Sequence, residues 1–218
     1  NKYSVESIND KHIFYHFDAY GRMHTNFTIL KTFIRKNCLL IDGEETCEID
    51  INNSQPLFLC KLIQDSDTRW VKDDEFNLFS ILVKGGNYYQ YLIDNLKLDC
   101  KSEAKNITYK VLFGQNRVNS KADKLFQSLF PSIHNFIKLY KKENSDYKIL
   151  AYDLQKAESN LIFNCVIRRI MDLNLDIKVI TVHDSIIFQK KWKEVVSNIF
   201  FNEIFEHFDN SFQNQSNI

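Results

Sequence analysis

The chain has 218 residues, 44% of them hydrophobic and 14% aromatic, enough for one substantial core or two small lobes and too apolar for a disordered protein. Lys plus Arg number 28 and Asp plus Glu number 28, so the formal net charge is zero and no global field draws the chain to nucleic acid or to a membrane. Any polyanion it handles must be gripped locally.

In chain order, "HIFYHFDAYGRMHTNF" places two short apolar runs around "DAYG" and predicts a hairpin. "EETCEIDI" follows the turn signal "IDG" and reads as a strand ending at Asp50. "QPLFLCKLI" then starts a helix that tolerates Pro56 in its first turn. From Asp74 to about Tyr140 the pattern is mostly helical, with breaks at "KGGN" and after Gly114. "DLQKAESNLIFNCVIRRIMDLN" has apolar residues at 154, 157, 161, 162, 165, 166, 167 and 170, which predicts a long amphipathic helix. The strand pair in "IKVITVHDSIIF" follows, and "KWKEVVSNIFFNEIFEHF" closes the chain as a helix. With few prolines and glycines and no repeat, this order predicts one continuous α+β domain with a helical insertion, helices covering one face of a small antiparallel sheet.

The five cysteines (Cys38, Cys47, Cys60, Cys100, Cys165) are odd in number and form no C-x-x-C pair, which favours a reduced, cytoplasmic chain over a disulfide framework. No run of about 18 apolar residues appears and "NKYSVESIND" lacks a signal peptide's apolar core, so no membrane partner is expected. A start at Asn rather than Met reads as a fragment or processed form, leaving room for missing domains.

"VHDSIIF" sets a carboxylate among apolar residues, a costly arrangement unless something neutralises it. A Ser-His-Asp relay fails on geometry, because adjacent strand residues point to opposite faces and His183, Asp184 and Ser185 cannot line up with one another. Two readings stay open: a polar turn in which Asp184 bonds its own backbone, and a metal ligand beside a second carboxylate. Asp50, also an aspartate at the end of an apolar strand before a polar bend, is the candidate second ligand. Hard oxygen ligands with room for substrate phosphates suit Mg²⁺, and a pair of such ions can serve phosphoryl transfer.

In "DCKSEAKNITYKVLFG", Lys101, Lys105, Tyr109 and Phe113 recur every four residues and so share about one third of a helix circumference. Two cations preceding two aromatics could hold a triphosphate and stack on a base or sugar. The alternative is a surface helix with snorkelling lysines and core aromatics.

Taken together, these segments resemble the family A DNA polymerases, the DNA polymerase I type, from about residue 14 to about 209. "DINNSQPLFL" resembles the first acidic motif (D-Y-S-Q-I-E-L) and "KSEAKNITYKVLFG" the fingers helix (R-x-x-x-K-x-x-x-F/Y-x-x-x-Y-G). "LFQSLFPSIHNFIKLYKK" is similar to the segment just downstream, "LQKAESNL" to the Q-G-T-A-A-D helix, and "VHDSIIF" to the second acidic motif, V-H-D-E. "GRMHTNFTILKTFIR" is similar to "GRLSSSDPNLQNIPIR". The segments fall in the family's order, and the gap from Asp50 to Lys101 is close to the family's, which makes coincidence a poor account of them.

The resemblance implies a palm over 1–73 and 143–218, carrying the two acidic motifs, and a fingers insertion over 74–142. It implies Asp50 and Asp184 as ligands of two Mg²⁺ ions, with Mn²⁺ as the alternative, and Lys101 and Lys105 at the triphosphate. Lys105 would also give a proton to the leaving pyrophosphate, Tyr109 and Phe113 would meet the nucleotide, and Gln55 or Pro56 falls near the sugar-selecting position. Arg22, Gln155 and His183 would face primer and template. The implied partners are a primed DNA template and dNTPs, with an accessory replication protein or missing domains for processive synthesis.

Four departures qualify this. "NN" precedes Ser54 and Gln55, leaving the ribonucleotide-excluding glutamate without a clear counterpart. Ser185 replaces the second motif's glutamate, as in the H-D-S of single-subunit phage and mitochondrial RNA polymerases. Lys101 replaces an arginine, keeping charge but losing the bidentate fork. The stretch from Phe113 to Asp184 is short, and the sequence carries no thumb or proofreading segment. Two alternatives follow: an RNA-synthesising or primase-like enzyme on the same fold, or a non-catalytic palm that binds nucleic acid within a larger replication or mobile-element machine.

Overall fold

The computed structural model describes residues 2–19, 21–66, 70–116 and 120–213, with side chains to residue 208. The chain divides into two compact units, one built from Asn1–Ile51 and Gln155–Ile218 and the other from Asn52–Leu154.

The first unit begins with α1 (Lys2–Asn9), the hairpin β1 (Tyr15–Phe17) and β2 (Met23–Thr25), and two short helices, α2 (Asn26–Ile29) and α3 (Thr32–Cys38). Tyr20, in the predicted "DAYG" turn, lies outside the described residues. Strand β3 (Leu40–Ile41) turns through Asp42 and Gly43, at φ +52° and +78°, into β4 (Glu44–Asp50). Asp-Gly suits such a two-residue turn because both positions need positive φ. β4 ends at Asp50.

The second half of this unit supplies the other two strands, β5 (Val179–Val182) and β6 (Ser185–Gln189); the sheet order is β3-β4-β6-β5, antiparallel throughout. β6 is buried along its whole length, as a central strand rich in Ile and Phe should be. Phe27, Leu30, Val182 and Ile187 form a core with Val5, Ile8 and Ile34 of the amino-terminal helices.

The chain's remaining helices, in order, are α4 (Ser54–Asp65), α5 (Asp73–Lys84), α6 (Tyr88–Leu96), α7 (Lys101–Phe113), α8 (Lys121–Leu129), α9 (Pro131–Glu143), α10 (Ile149–Asn160), α11 (Arg168–Met171) and α12 (Lys193–Gln213). The predicted long amphipathic helix is interrupted: α10 passes into a π-helical stretch, Leu161–Ile167, before α11. Periodicity could not show this, because wide π turns keep an apolar stripe roughly continuous while shifting its phase; such stretches often mark functional sites.

The second unit is helical, α4 to α9, around an aromatic core. Phe79 meets Tyr88 and Phe130 edge-on at centroid distances of 5.3 and 5.1 Å, and the Tyr88 hydroxyl lies 3.1 Å from Thr108 Oγ1. The Glu75 carboxylate accepts from Ser132 N–H (3.0 Å) and Ile133 N–H (2.8 Å), capping α9 just after Pro131. At the other end of α7, a Cβ on Gly114 would meet the Lys110 carbonyl oxygen at 2.3 Å, so the close backbone pass there needs glycine.

The same helix end is closed by a buried cation. Lys141, 2% exposed, donates from Nζ to the carbonyls of Val111 (2.7 Å) and Gly114 (2.8 Å). Burial, with Lys138 alongside, lowers its pKa from 10.5 to about 8. From about pH 8 to pH 10.5 the folded chain has released a proton that the unfolded chain still holds, so this group stabilises the fold increasingly as pH rises. Chemical denaturation of the wild type and Lys141→Met at pH 8 and pH 10 should therefore show the difference moving toward the wild type by about 2 kcal/mol. A constant difference would mean that Lys141 does not titrate there.

Among the described residues no helix is long and apolar enough to cross a membrane.

Candidate active site

The register of the sheet brings the two aspartates together. Asp50, the last residue of β4, stands opposite Ser185, the first of β6, and Ile51 N–H donates to the Asp184 carbonyl at 3.1 Å. His183 and Asp184 are the two-residue turn between β5 and β6, rather than strand residues as the relay argument assumed. His183 has φ +56°, a conformation that costs a non-glycine residue energy and is several-fold enriched in His, Asn and Asp. A histidine where glycine would be easier points to a use for its ring.

Asp184 is the most perturbed carboxyl in this unit. Burial, then the Glu158 carboxylate, then Asp50 push its pKa up to about 7, and the Arg22 guanidinium only partly offsets them. Two neighbouring carboxylates thus act on Asp184, and a cation held by Asp50 and Asp184 would relieve the repulsion. Among the described residues no group of three or more His, Cys, Asp or Glu forms a ready-made metal cage. Mg²⁺ does not need one: it is commonly held by one or two carboxylates with water and phosphate completing the shell. The donor set fits that ion.

Glu158 was not singled out from the sequence. It is 2% exposed, lies near the end of α10, and binds Arg22 (Nη2 to Oε1, 2.5 Å). A signal was there: Glu158 follows Gln155 by three residues, so a helix that turns Gln155 to a site turns Glu158 to it as well. Gln155 itself is half-buried on that helix.

The imidazole of His183 has its pKa lowered, by burial first and then by the Arg22 charge, and so stays neutral at pH 7. Its Nδ1, Arg22 Nε and Thr181 Oγ1 are buried without a protein partner, and all three residues line one small chamber with Glu158 and Phe163. Its volume of about 10 Å³ for a water centre, with three polar groups around it, suits a single bridging water. The Ser185 hydroxyl is shared between Glu48 Oε1 and the Val182 carbonyl, each at 3.0 Å. Glu48 in turn receives Arg35 Nη2 at 3.2 Å. Ser185 is therefore part of the sheet's polar interior.

In the second unit, α7 buries Ala104, Ile107, Thr108, Val111 and Leu112 and leaves Lys101 and Lys105 exposed. Both ammonium groups lie over the Tyr89 ring, 5.9 and 5.7 Å from its centroid. Tyr109 is 39% exposed and Phe113 half-buried, their rings stacked at 5.4 Å, so neither is a core aromatic. Cations in the first turns oppose the helix dipole and cost stability unless an anion is bound there. Gln55 sits buried in the first turn of α4.

No protein-family model matches the sequence, and no curated protein matches it. Among solved structures the chain is similar to the POL domain of Pol1 from M. smegmatis, determined in complex with DNA primer-template and dNTP. The TM-score is 0.61 at 11% identity, and the likeness covers 92% of this chain but 45% of the other. The chain thus spans less than half the length of that protein, and it shares a polymerase-like α+β fold with it.

Proposed function

We propose that the protein is a template-directed nucleotidyltransferase of the family A type that extends a DNA primer with dNTPs. The observation that carries this reading is the pairing of Asp50 and Asp184 at adjacent strand ends, with Asp184 pushed up to about 7 by burial and neighbouring carboxylates. In this reading residues 1–73 and 143–218 are the palm and 74–142 the fingers, and the protein works in the cytoplasm with an accessory protein or further domains supplying processivity.

Asp50 and Asp184 would hold two Mg²⁺ ions, or Mn²⁺ in their place. Bound there, the ions would supply Lewis-acid chemistry for a primer 3′-hydroxyl and for charge on the departing pyrophosphate. The chain's own groups do the rest. Lys101 and Lys105 neutralise the triphosphate, and Lys105 Nζ passes a proton to the leaving pyrophosphate. Tyr109 meets the sugar, Phe113 packs beside the nucleotide, and Gln55 shapes the sugar pocket. Arg22, His183 and Gln155 orient the primer end and template, with His183 neutral and its ring held by the turn.

The test is extension of a primed DNA template with Mg²⁺, comparing dNTPs with rNTPs. Extension by dNTPs is expected. Extension by rNTPs alone would move the assignment to an RNA-synthesising enzyme, and binding of primed DNA without any extension would make the chain a nucleic-acid-binding module.

A further inference from the structure

We propose that Glu158 is a positioning residue, whose buried carboxylate sets the Arg22 guanidinium for primer-template binding while Ser159 ties the adjoining hairpin turn to the same helix. The inference rests on the reading of Arg22 given above.

Two consecutive residues at the end of α10 hold two consecutive residues of the β1–β2 turn: Glu158 binds Arg22, and the Ser159 hydroxyl donates to the Gly21 carbonyl. The partners of the ion pair are 136 residues apart in sequence, so this is tertiary fastening. Gly21, at φ +80°, supplies the positive-φ bend. The turn is braced from within as well: Asp18 Oδ1 accepts Arg22 N–H at 3.0 Å, and Asp18 Oδ2 lies 3.1 Å from His24 Nε2. His24 stacks on His16, with ring centroids 5.0 Å apart. The backbone of Arg22 is thus fixed by its own hairpin, and its side chain is aimed by α10.

The charges explain why a carboxylate is needed. Arg22 lies within the electrostatic reach of Asp184, whose rise in pKa it opposes. Without Glu158, Asp184 is an anion to which the freed guanidinium could turn. Glu158 gives Arg22 a carboxylate of its own, leaving Asp184 for metal and the outer guanidinium edge for nucleic acid. A buried carboxylate held tightly against a guanidinium also fixes direction, because the planar fork has few ways to satisfy it.

The experiment is a double-mutant cycle on the full chain. The affinity for a primed DNA hairpin is measured by fluorescence anisotropy, without dNTP and at fixed ionic strength, for the wild type, Glu158→Gln, Arg22→Gln and the double variant. Glu158→Gln is expected to weaken binding about ten-fold when Arg22 is present and to change it less than about two-fold when Arg22 is absent. Simple repulsion between Glu158 and DNA predicts the opposite sign, tighter binding in both backgrounds, and a purely structural role predicts equal weakening in both; either result overturns the inference. Ser159→Ala, a smaller change, should weaken binding about three-fold, again only with Arg22 present. If Arg22→Gln leaves affinity unchanged, Arg22 does not contact nucleic acid and the functional reading of that residue fails with the inference. If Arg22→Gln weakens binding but Glu158→Gln does not, the inference alone fails.

Discussion

Asp184→Asn is expected to slow primer extension by roughly a thousand-fold or more, because losing one metal ligand removes several kcal/mol of charge stabilisation from the transition state. The same substitution should stabilise the metal-free fold. The Asp184 carboxyl ordinarily titrates at 3.8 and is pushed up to about 7 here. Between those values the folded chain keeps a proton that the unfolded chain releases, so the wild type loses stability as pH rises from about 4 to about 7. At pH 8 the metal-free asparagine variant should exceed the wild type by on the order of 4 kcal/mol, and below pH 4 by nothing from this source. Saturating Mg²⁺ should raise the melting temperature of the wild type and leave that of Asp184→Asn nearly unmoved. Full extension activity in Asp184→Asn, or equal Mg²⁺ shifts in both proteins, would remove the metal assignment.

Lys105→Ala is expected to lower kcat/KM for the incoming dNTP by about a hundred-fold, and Lys101→Ala by about ten-fold, with Lys105→Arg retaining more than the alanine variant. Both lysines are exposed on α7, so neither loss should unfold the protein. Lys101→Ala should even stabilise the helix slightly, by about 0.5 kcal/mol, since a cation in the first turn opposes the dipole. Activity and stability moving in opposite directions would mark Lys101 as kept for an anionic ligand. Steady-state kinetics with varied dNTP, together with thermal melts, reads both.

The parts of the fold that carry local signals were legible in the sequence. The end of β4 at Asp50 follows from "IDG" before it and the polar bend after it, and the face of α7 from a four-residue spacing. What escaped lacks a local signature. α1 has only Val5 and Ile8 to pack, too few for a periodic stripe. The π stretch alters hydrogen bonding without altering composition. In "VHDSIIF" the turn reading is what the backbone shows: His183 and Asp184 are a turn, and that turn sets Asp184 beside Asp50, the arrangement the metal reading needs. Glu158 was missed because an acidic residue in a helix reads as a solvated face until its partner is known, and Arg22 is 136 residues away.

The discontinuous build of the first unit also dictates an order of assembly. Glu48 on β4 meets Ser185 on β6 across a separation of 137 residues, and all of residues 52–154 are made in between. Closing so long a loop is slow compared with forming helix pairs, so the helical unit should acquire structure on the ribosome while β4 still waits for its neighbour. During that interval the edge of β4 that will meet β6 is unpaired, with Cys47 and Ile49 exposed to misassociation, and the acidic residues of the strand, Glu44, Glu45 and Glu48, act as charged guards against it. Nascent chains stalled before Val179 should accordingly resist proteolysis across 52–154 and be cut freely before Ile51.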